Sequence, residues 1–164
     1  AKNQKVVDAQ LKTINEQSGL LQQQHSLAEE TAKKTYRLSL FEQRFAIYNE
    51  LLKIGKEASQ HNPLRLEEYF GLRQVAAKSG FVFDETIESY IDGTSDAYES
   101  YLENIEEWHS TWDANNIYKR RVKPDTPKSR EIEAELSKDR DGILLSLSLE
   151  MVRSLMWKSL RVTE

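Results

Sequence analysis

Residues 7–35 read VDAQLKTINEQSGLLQQQHSLAEETAKKT, and the spacing of their apolar positions decides the fold. Val7, Leu11, Ile14, Ser18, Leu21, His25, Ala28, Ala32 and Thr35 alternate steps of four and three, the signature of a heptad seam. The rest of the segment is mostly polar, rich in Gln, Lys and Glu, so the helix shows water a largely polar surface outside one narrow stripe. Ser18, His25 and Thr35 dilute that stripe, and Gly19 costs about 1 kcal/mol relative to alanine inside a helix. A weak seam of this kind predicts a coiled-coil-like helix that needs a partner helix, and hence a homo-oligomer formed through residues 7–35. Val7, Leu11, Ile14, Leu21, His25 and Ala28 are its expected contact residues. An imidazole titrates near pH 6.5. His25 is therefore either a tolerated polar residue in the seam or, facing its symmetry mate, a pH-sensitive element of pairing.

Past Thr35 the pattern changes phase and doubles. Leu38, Phe41, Phe45, Tyr48 and Leu52 make one stripe, and Leu40, Ile47, Leu51, Ile54 and Ala58 another, which predicts packing on two sides. The expectation is one helix from about residue 4 to about residue 60, roughly 85 Å long at 1.5 Å per residue. Its residues 1–35 would form a projecting stalk, with 36–164 a helical bundle. Pro63 ends the helix, since the residue before a proline is driven out of α geometry. A shorter helix through Leu66, Tyr69, Phe70, Leu72, Val75 and Ala76 stops at Ser79 and Gly80, and is expected to close one end of the bundle. Asp84 is a good N-cap for a third helix whose seam is Ile87, Ile91, Thr94, Tyr98, Tyr101, Ile105, Trp108 and Trp112. A loop near 113–128 precedes a last helix expected to run unbroken to Leu160 as the central core element. The predicted fold class is all-α: a long coiled-coil-like N-terminal helix running into an antiparallel bundle of about four helices.

Composition narrows the function. The formal net charge of −4 offers no global attraction to a phosphate backbone, so nucleic acid is not the expected partner. The absence of cysteine removes disulfides, thiolate nucleophiles and thiolate zinc sites, and suits a reducing compartment. No stretch reaches the roughly 20 apolar residues of a membrane span. The chain starts at Ala1 rather than at methionine, which leaves room for an upstream anchor. The expected location is cytoplasmic, at the inner face of a membrane if such an anchor exists.

The search for chemistry returns little. The six glycines match neither a P-loop nor a dinucleotide fingerprint, and no serine-nucleophile signature occurs. Neither an enzyme nor a cofactor is expected. Glu106 and His109 share the i, i+3 spacing of carboxylate-bridged metal bundles, but a second such pair is missing from the sequence, so a solvated pair is the preferred reading. Lys119, Arg120, Arg121 and Lys123 form the one local excess of positive charge, a candidate contact for anionic lipid or another anion. The alternative is internal neutralisation of the third helix, whose residues 84, 85, 88, 92, 96, 99, 103, 106 and 107 are acidic with no Lys or Arg between. The aromatic stripe of that helix reads as core.

The segment Leu38-Ser39-Leu40-Phe41-Glu42-Gln43-Arg44-Phe45-Ala46-Ile47-Tyr48 resembles a motif of small bacterial proteins in which a membrane helix is followed by a Gln- and Glu-rich helical stalk. Gln43 and Ala46 stand where that motif commonly carries charge. The resemblance implies a bacterial source, an upstream anchor and a helical cytoplasmic domain, and brings no catalytic residues. Within the motif Glu42 and Arg44 stand out, Arg44 as either a half-buried pair or a surface i, i+4 contact. The function expected is a non-enzymatic interaction or scaffold protein that self-associates through its first helix and presents an acidic bundle to a protein partner. The alternatives are a membrane-tethered sensor or effector subunit of a bacterial accessory system, defence included, and a metal-dependent enzyme resting on Glu106 and His109.

Overall fold

The computed structural model describes residues 2–112 and 123–161. Five helical segments account for them: α1 (Lys2–Ser59), α2 (Leu66–Ser79), α3 (Glu85–Ser110), α4 (Pro127–Ser146) and α5 (Leu149–Leu160). The chain divides into two units, residues 1–41 and 42–164. The first unit is helix alone. Every described side chain from Asn3 to Ser39 is exposed, with Leu40 and Phe41 half-buried. Ion pairs Lys12–Glu16 (4.0 Å), Glu29–Lys33 (2.7 Å) and Glu30–Lys34 (2.7 Å) run along it, and Lys34 lowers the Glu30 carboxyl pKa by hydrogen bond and charge. Exposed pairs add little to stability.

The second unit is a four-cornered antiparallel bundle, and cross-helix contacts define each corner. Gly71 of α2 packs on Ile54 of α1, and Lys78 reaches Glu50 at 3.6 Å, so α2 runs back along α1. Tyr98 of α3 donates its hydroxyl to the Arg65 carbonyl (2.9 Å) at the start of α2, while Gly80 at the far end of α2 lies against Glu88. Tyr90 donates to the Ser146 carbonyl (3.1 Å), pairing the start of α3 with the end of α4. The fourth corner is closed by α4 and α5 together, which run back along α1 from Arg140, bonded to the His61 carbonyl (2.9 Å), to Ser159, bonded to Arg44 (3.0 Å). Thus α2 forms a corner rather than an end cap. The core is Ile47, Leu51, Ile54 and Ala58 of α1, Leu72 and Val75 of α2, the α3 seam, Leu136 and Ile143 of α4, and Val152 and Met156 of α5.

Three expectations need correction. The last helix is not continuous: Leu147 leaves helical geometry, and Ser148 caps α5 by accepting the Met151 amide (3.3 Å). The break is stabilised twice over, by the Tyr90 hydroxyl on the freed Ser146 carbonyl and by Gly55, whose missing side chain lets the Leu147 backbone lie directly on α1. Nor does the apolar run after Ile143 lie wholly in the core. Leu145, Leu149, Met151 and Trp157 are exposed, because a segment apolar at most positions has more such residues than one buried face can take. Finally, the double stripe of α1 is buried on one side only: Ile47, Leu51, Ile54 and Ala58 are covered, while Leu38 and Phe45 are exposed and Tyr48 and Leu52 half-buried. The start of α4 at Pro127 is fixed by Thr126 and Ser129, which exchange side-chain and backbone hydrogen bonds across a capping box (2.9 and 3.1 Å).

The buried phenols give the bundle an alkaline limit. Burial pushes Tyr98 far above the ordinary tyrosine value, and the Glu68 carboxylate adds to the shift; burial raises Tyr101 too. An unfolded chain releases these protons near pH 10, before the folded one does, so unfolding free energy falls with pH above about 10. Urea titrations at pH 8 and pH 11 should show that loss. Tyr98→Phe should make it shallower at pH 11, while costing about 1 kcal/mol at pH 8 for the lost bond to Arg65.

Candidate interaction surfaces

The apolar seam of α1 is open to solvent. Val7, Leu11, Ile14 and Leu21 are 50, 54, 58 and 66% exposed, far above what a helix retains once its apolar stripe is packed. His25 and Ala28 are exposed beside them. Val6, Leu20 and Leu27 widen the stripe on one flank. Farther along, Ala28, Ala32, Thr35 and Ser39 form the floor of a shallow groove walled by Leu27 and Tyr36. Short side chains on successive turns leave the α1 backbone open to close approach by another helix.

Acidic residues dominate the outer side of α3. Asp84 is spent as the N-cap, accepting the Ile87 amide (3.1 Å). Of the others, Glu85, Asp96, Glu99, Glu103, Glu106 and Glu107 are exposed, and Glu88 and Asp92 half-buried. Arg73 of α2 reaches Asp96 at 3.5 Å, and Tyr69 hydrogen-bonds Glu99. The charge excess along this helix remains large. Of the basic cluster, Lys119, Arg120 and Arg121 lie outside the described residues. Lys123 pairs with Glu133 of α4 at 2.7 Å, so this member neutralises α4 rather than α3.

Glu106 is exposed and His109 half-buried, with the His109 ring edge-on to Trp112 at 4.7 Å. No group of three His, Asp or Glu residues that could hold a metal occurs among the described residues. The pair therefore has no third ligand in this part of the chain. Trp108 is core, as the heptad requires, and Trp112 meets it edge to face at 6.1 Å. These rings, with Pro63, Tyr101, Leu136 and Arg140, line a cavity of about 270 Å³. The indole NH of Trp112 is buried without a hydrogen-bond partner among the described residues.

Two arginines hold the bundle by its main chain. Arg44 donates from Nε to the Val82 carbonyl (2.7 Å) and from Nη1 to the Ser159 carbonyl (3.0 Å), with its guanidinium 5.7 Å from the Phe83 ring centre. It joins α1 to the α2–α3 connection and to the last turn of α5, where a cation is favoured. The residue singled out within the 38–48 motif is thus half-buried, and its hydrogen bonds go to main-chain carbonyls 38 and 115 residues away rather than to an i, i+4 neighbour. Arg140 does the same for the His61 carbonyl just past α1, through Nε (3.2 Å) and Nη2 (2.9 Å). Beside it His61 Nε2 lies 3.3 Å from Oε1 of buried Glu68, whose Oε2 has no partner among the described residues.

One exposed patch escaped the sequence reading. At the end of α5, Arg153 and, just past the helix, Arg161 flank the half-exposed Trp157 ring at 5.0 and 5.3 Å, with Leu149 exposed two turns earlier. The i, i+4 spacing of residues 149, 153, 157 and 161 was legible. What hid it was the density of apolar residues, which made the whole segment look buried.

Compared with family models, curated proteins and solved structures, the chain matches none. No helix among the described residues is long and apolar enough to cross a membrane.

Proposed function

We propose that this chain is a non-enzymatic interaction protein that self-associates through residues 7–35 of α1 and presents the acidic face of its helical bundle to a protein partner. One observation carries the reading: a regular heptad seam of Val7, Leu11, Ile14 and Leu21 stands exposed on a helix that packs against nothing else in its own unit. Helices in water draw most of their stability from packing an apolar face rather than from intrinsic propensity. A second copy supplies such a face with the same spacing. The acidic excess of α3 suits a basic protein partner and steers its approach.

Sedimentation velocity tests this reading. The full chain should associate with rising concentration, and a variant lacking residues 1–35 should sediment as a monomer that keeps the helical signal of residues 36–164. A full chain that stays monomeric and fully helical at high micromolar concentration sinks the proposal.

The second reading is a membrane-associated sensor or effector subunit, acting at the inner face of a bacterial membrane. The α5 patch favours it, since a tryptophan between two arginines with leucine nearby is chemistry suited to an anionic lipid interface. Retention on vesicles containing an anionic phospholipid at physiological salt supports that reading, and equal indifference to anionic and neutral vesicles removes its support.

A further inference from the structure

The seam of α1 is asymmetric along its length, and the asymmetry specifies how two copies pair. In heptad notation Gln4, Leu11, Ser18, His25 and Ala32 take position a, and Val7, Ile14, Leu21, Ala28 and Thr35 take position d. The large apolar side chains all lie toward the N-terminal end, at residues 7, 11, 14 and 21. The second half, from Ala28 through Ala32 and Thr35, is small and forms the shallow groove described above.

The distance between packed helix axes is set by the side chains at the contact. A parallel, in-register pair would stack Leu11 on Leu11 and Ile14 on Ile14 at one end, and Ala28 on Ala28 and Ala32 on Ala32 at the other. Its axes would have to converge along the seam or leave voids where the small residues face one another, and lost contacts across such voids are costly. Turning one copy around removes the conflict. When paired positions sum to 39, Val7 faces the partner's Ala32, Leu11 the partner's Ala28, Ile14 the partner's His25 and Leu21 the partner's Ser18. Each of these layers then holds one large apolar residue and one smaller or polar one, and a constant separation suits all of them. A pairing shifted by one heptad toward the N-terminus sets Leu11 against the partner's Leu21 and Ile14 against the partner's Ser18. A shift the other way sets Ser18 against the partner's Ala28. Both restore uneven layers.

We propose that two copies of this chain pair antiparallel through residues 4–35, with Leu11 of each against Ala28 of the other; the proposal rests on the self-association inferred above. The overlap engages roughly 18 core and flanking positions per chain, close to the 20–30 residues a side of a standard stable interface. Electrostatics opposes it only weakly. The flanking positions Gln10, Gln17, Gln22 and Gln24 are neutral, and Glu29, which comes near the partner's Asp8, is already held by Lys33 at 2.7 Å. At 1.5 Å per residue this register sets the two Phe41 residues roughly 65 Å apart along the shared axis, whereas a parallel pair would hold them side by side.

The chain has no cysteine, so one introduced thiol reports on one position. Leu11→Cys and Ala28→Cys variants, one carrying an added affinity tag so that mixed dimers resolve by mass, are oxidised separately and as an equal mixture. A disulfide needs Cβ atoms about 3.5–4.5 Å apart. The antiparallel register predicts that the mixture gives at least five times the covalent dimer of either variant alone. Efficient cross-linking of Leu11→Cys with itself, and no gain on mixing, overturns the orientation while leaving self-association intact. It also favours the membrane-tethered reading, because chains anchored side by side in one bilayer run parallel. Unoxidised variants and parent that all sediment as monomers overturn the self-association itself.

Discussion

Replacing Gly55 with alanine should destabilise the bundle by about 1–3 kcal/mol, although the same change in a helix interior ordinarily stabilises by up to about 1 kcal/mol. The reversal comes from one contact. A Cβ at Gly55 would fall on the Leu147 carbonyl oxygen, 3.0 Å from Leu147 Cβ and 3.2 Å from its carbonyl carbon, and backbone held at a helix break cannot swing aside as the end of a long side chain can. Either α4 and α5 part from α1 or the break itself rearranges. Gly93→Ala and Gly142→Ala are the controls: both glycines are helical, and a Cβ at either meets nothing within 4 Å, so both should gain stability. Thermal melts of the three variants should place Gly55→Ala below the parent, by several degrees at 2–4 °C per kcal/mol, and the two controls above it. A stabilised Gly55→Ala would show that the α4–α5 corner does not rest on α1.

Arg44→Met should cost about 2–4 kcal/mol. Methionine preserves much of the aliphatic stem and its packing near Phe83 but removes the donors to Val82 and Ser159. A hydrogen bond from a charged group is worth about 1.5–3 kcal/mol, and the partly exposed setting discounts the pair below the sum of two. Lysine at this position carries the charge without the fork, so Arg44→Lys should recover less than half the loss. Urea denaturation of the three proteins measures the effect, and hydrogen exchange should locate it at the last turn of α5 and the α2–α3 connection. A loss below about 0.5 kcal/mol would make Arg44 a surface contact after all.

Where side-chain spacing alone carries the information, the fold is readable from the chain. Of the eight α3 seam residues read from the aromatic heptad, Ile87, Ile91, Thr94, Tyr98, Tyr101 and Trp108 are buried and Ile105 and Trp112 half-buried. Pro63, Gly80 and Asp84 marked helix ends because each acts on its own neighbours. The features that escaped depend on residues distant in sequence. The break at Leu147 lies in an apolar run that gave no reason to prefer one until Gly55 and Tyr90 meet it from α1 and α3. Arg44 and Arg140 bind main-chain carbonyls 38 and 79 residues away, partners that no side-chain pattern announces. The exposed side of the α1 double stripe was unreadable for a related reason: Phe45 and Ile47 look equally apolar, and only the placing of α2, α4 and α5 chooses between their faces.

The central claim is that the α1 seam is a self-association surface, and sedimentation equilibrium of the full chain beside an Ile14→Lys, Leu21→Lys double variant tests it most directly. Both side chains are more than half exposed and lie outside the bundle unit, so the variant should keep its core. The account predicts a parent whose average mass rises from one chain toward two with concentration, and a variant fixed at the mass of one chain. A parent and variant with the same mass at every concentration, whether one chain or two, would contradict it.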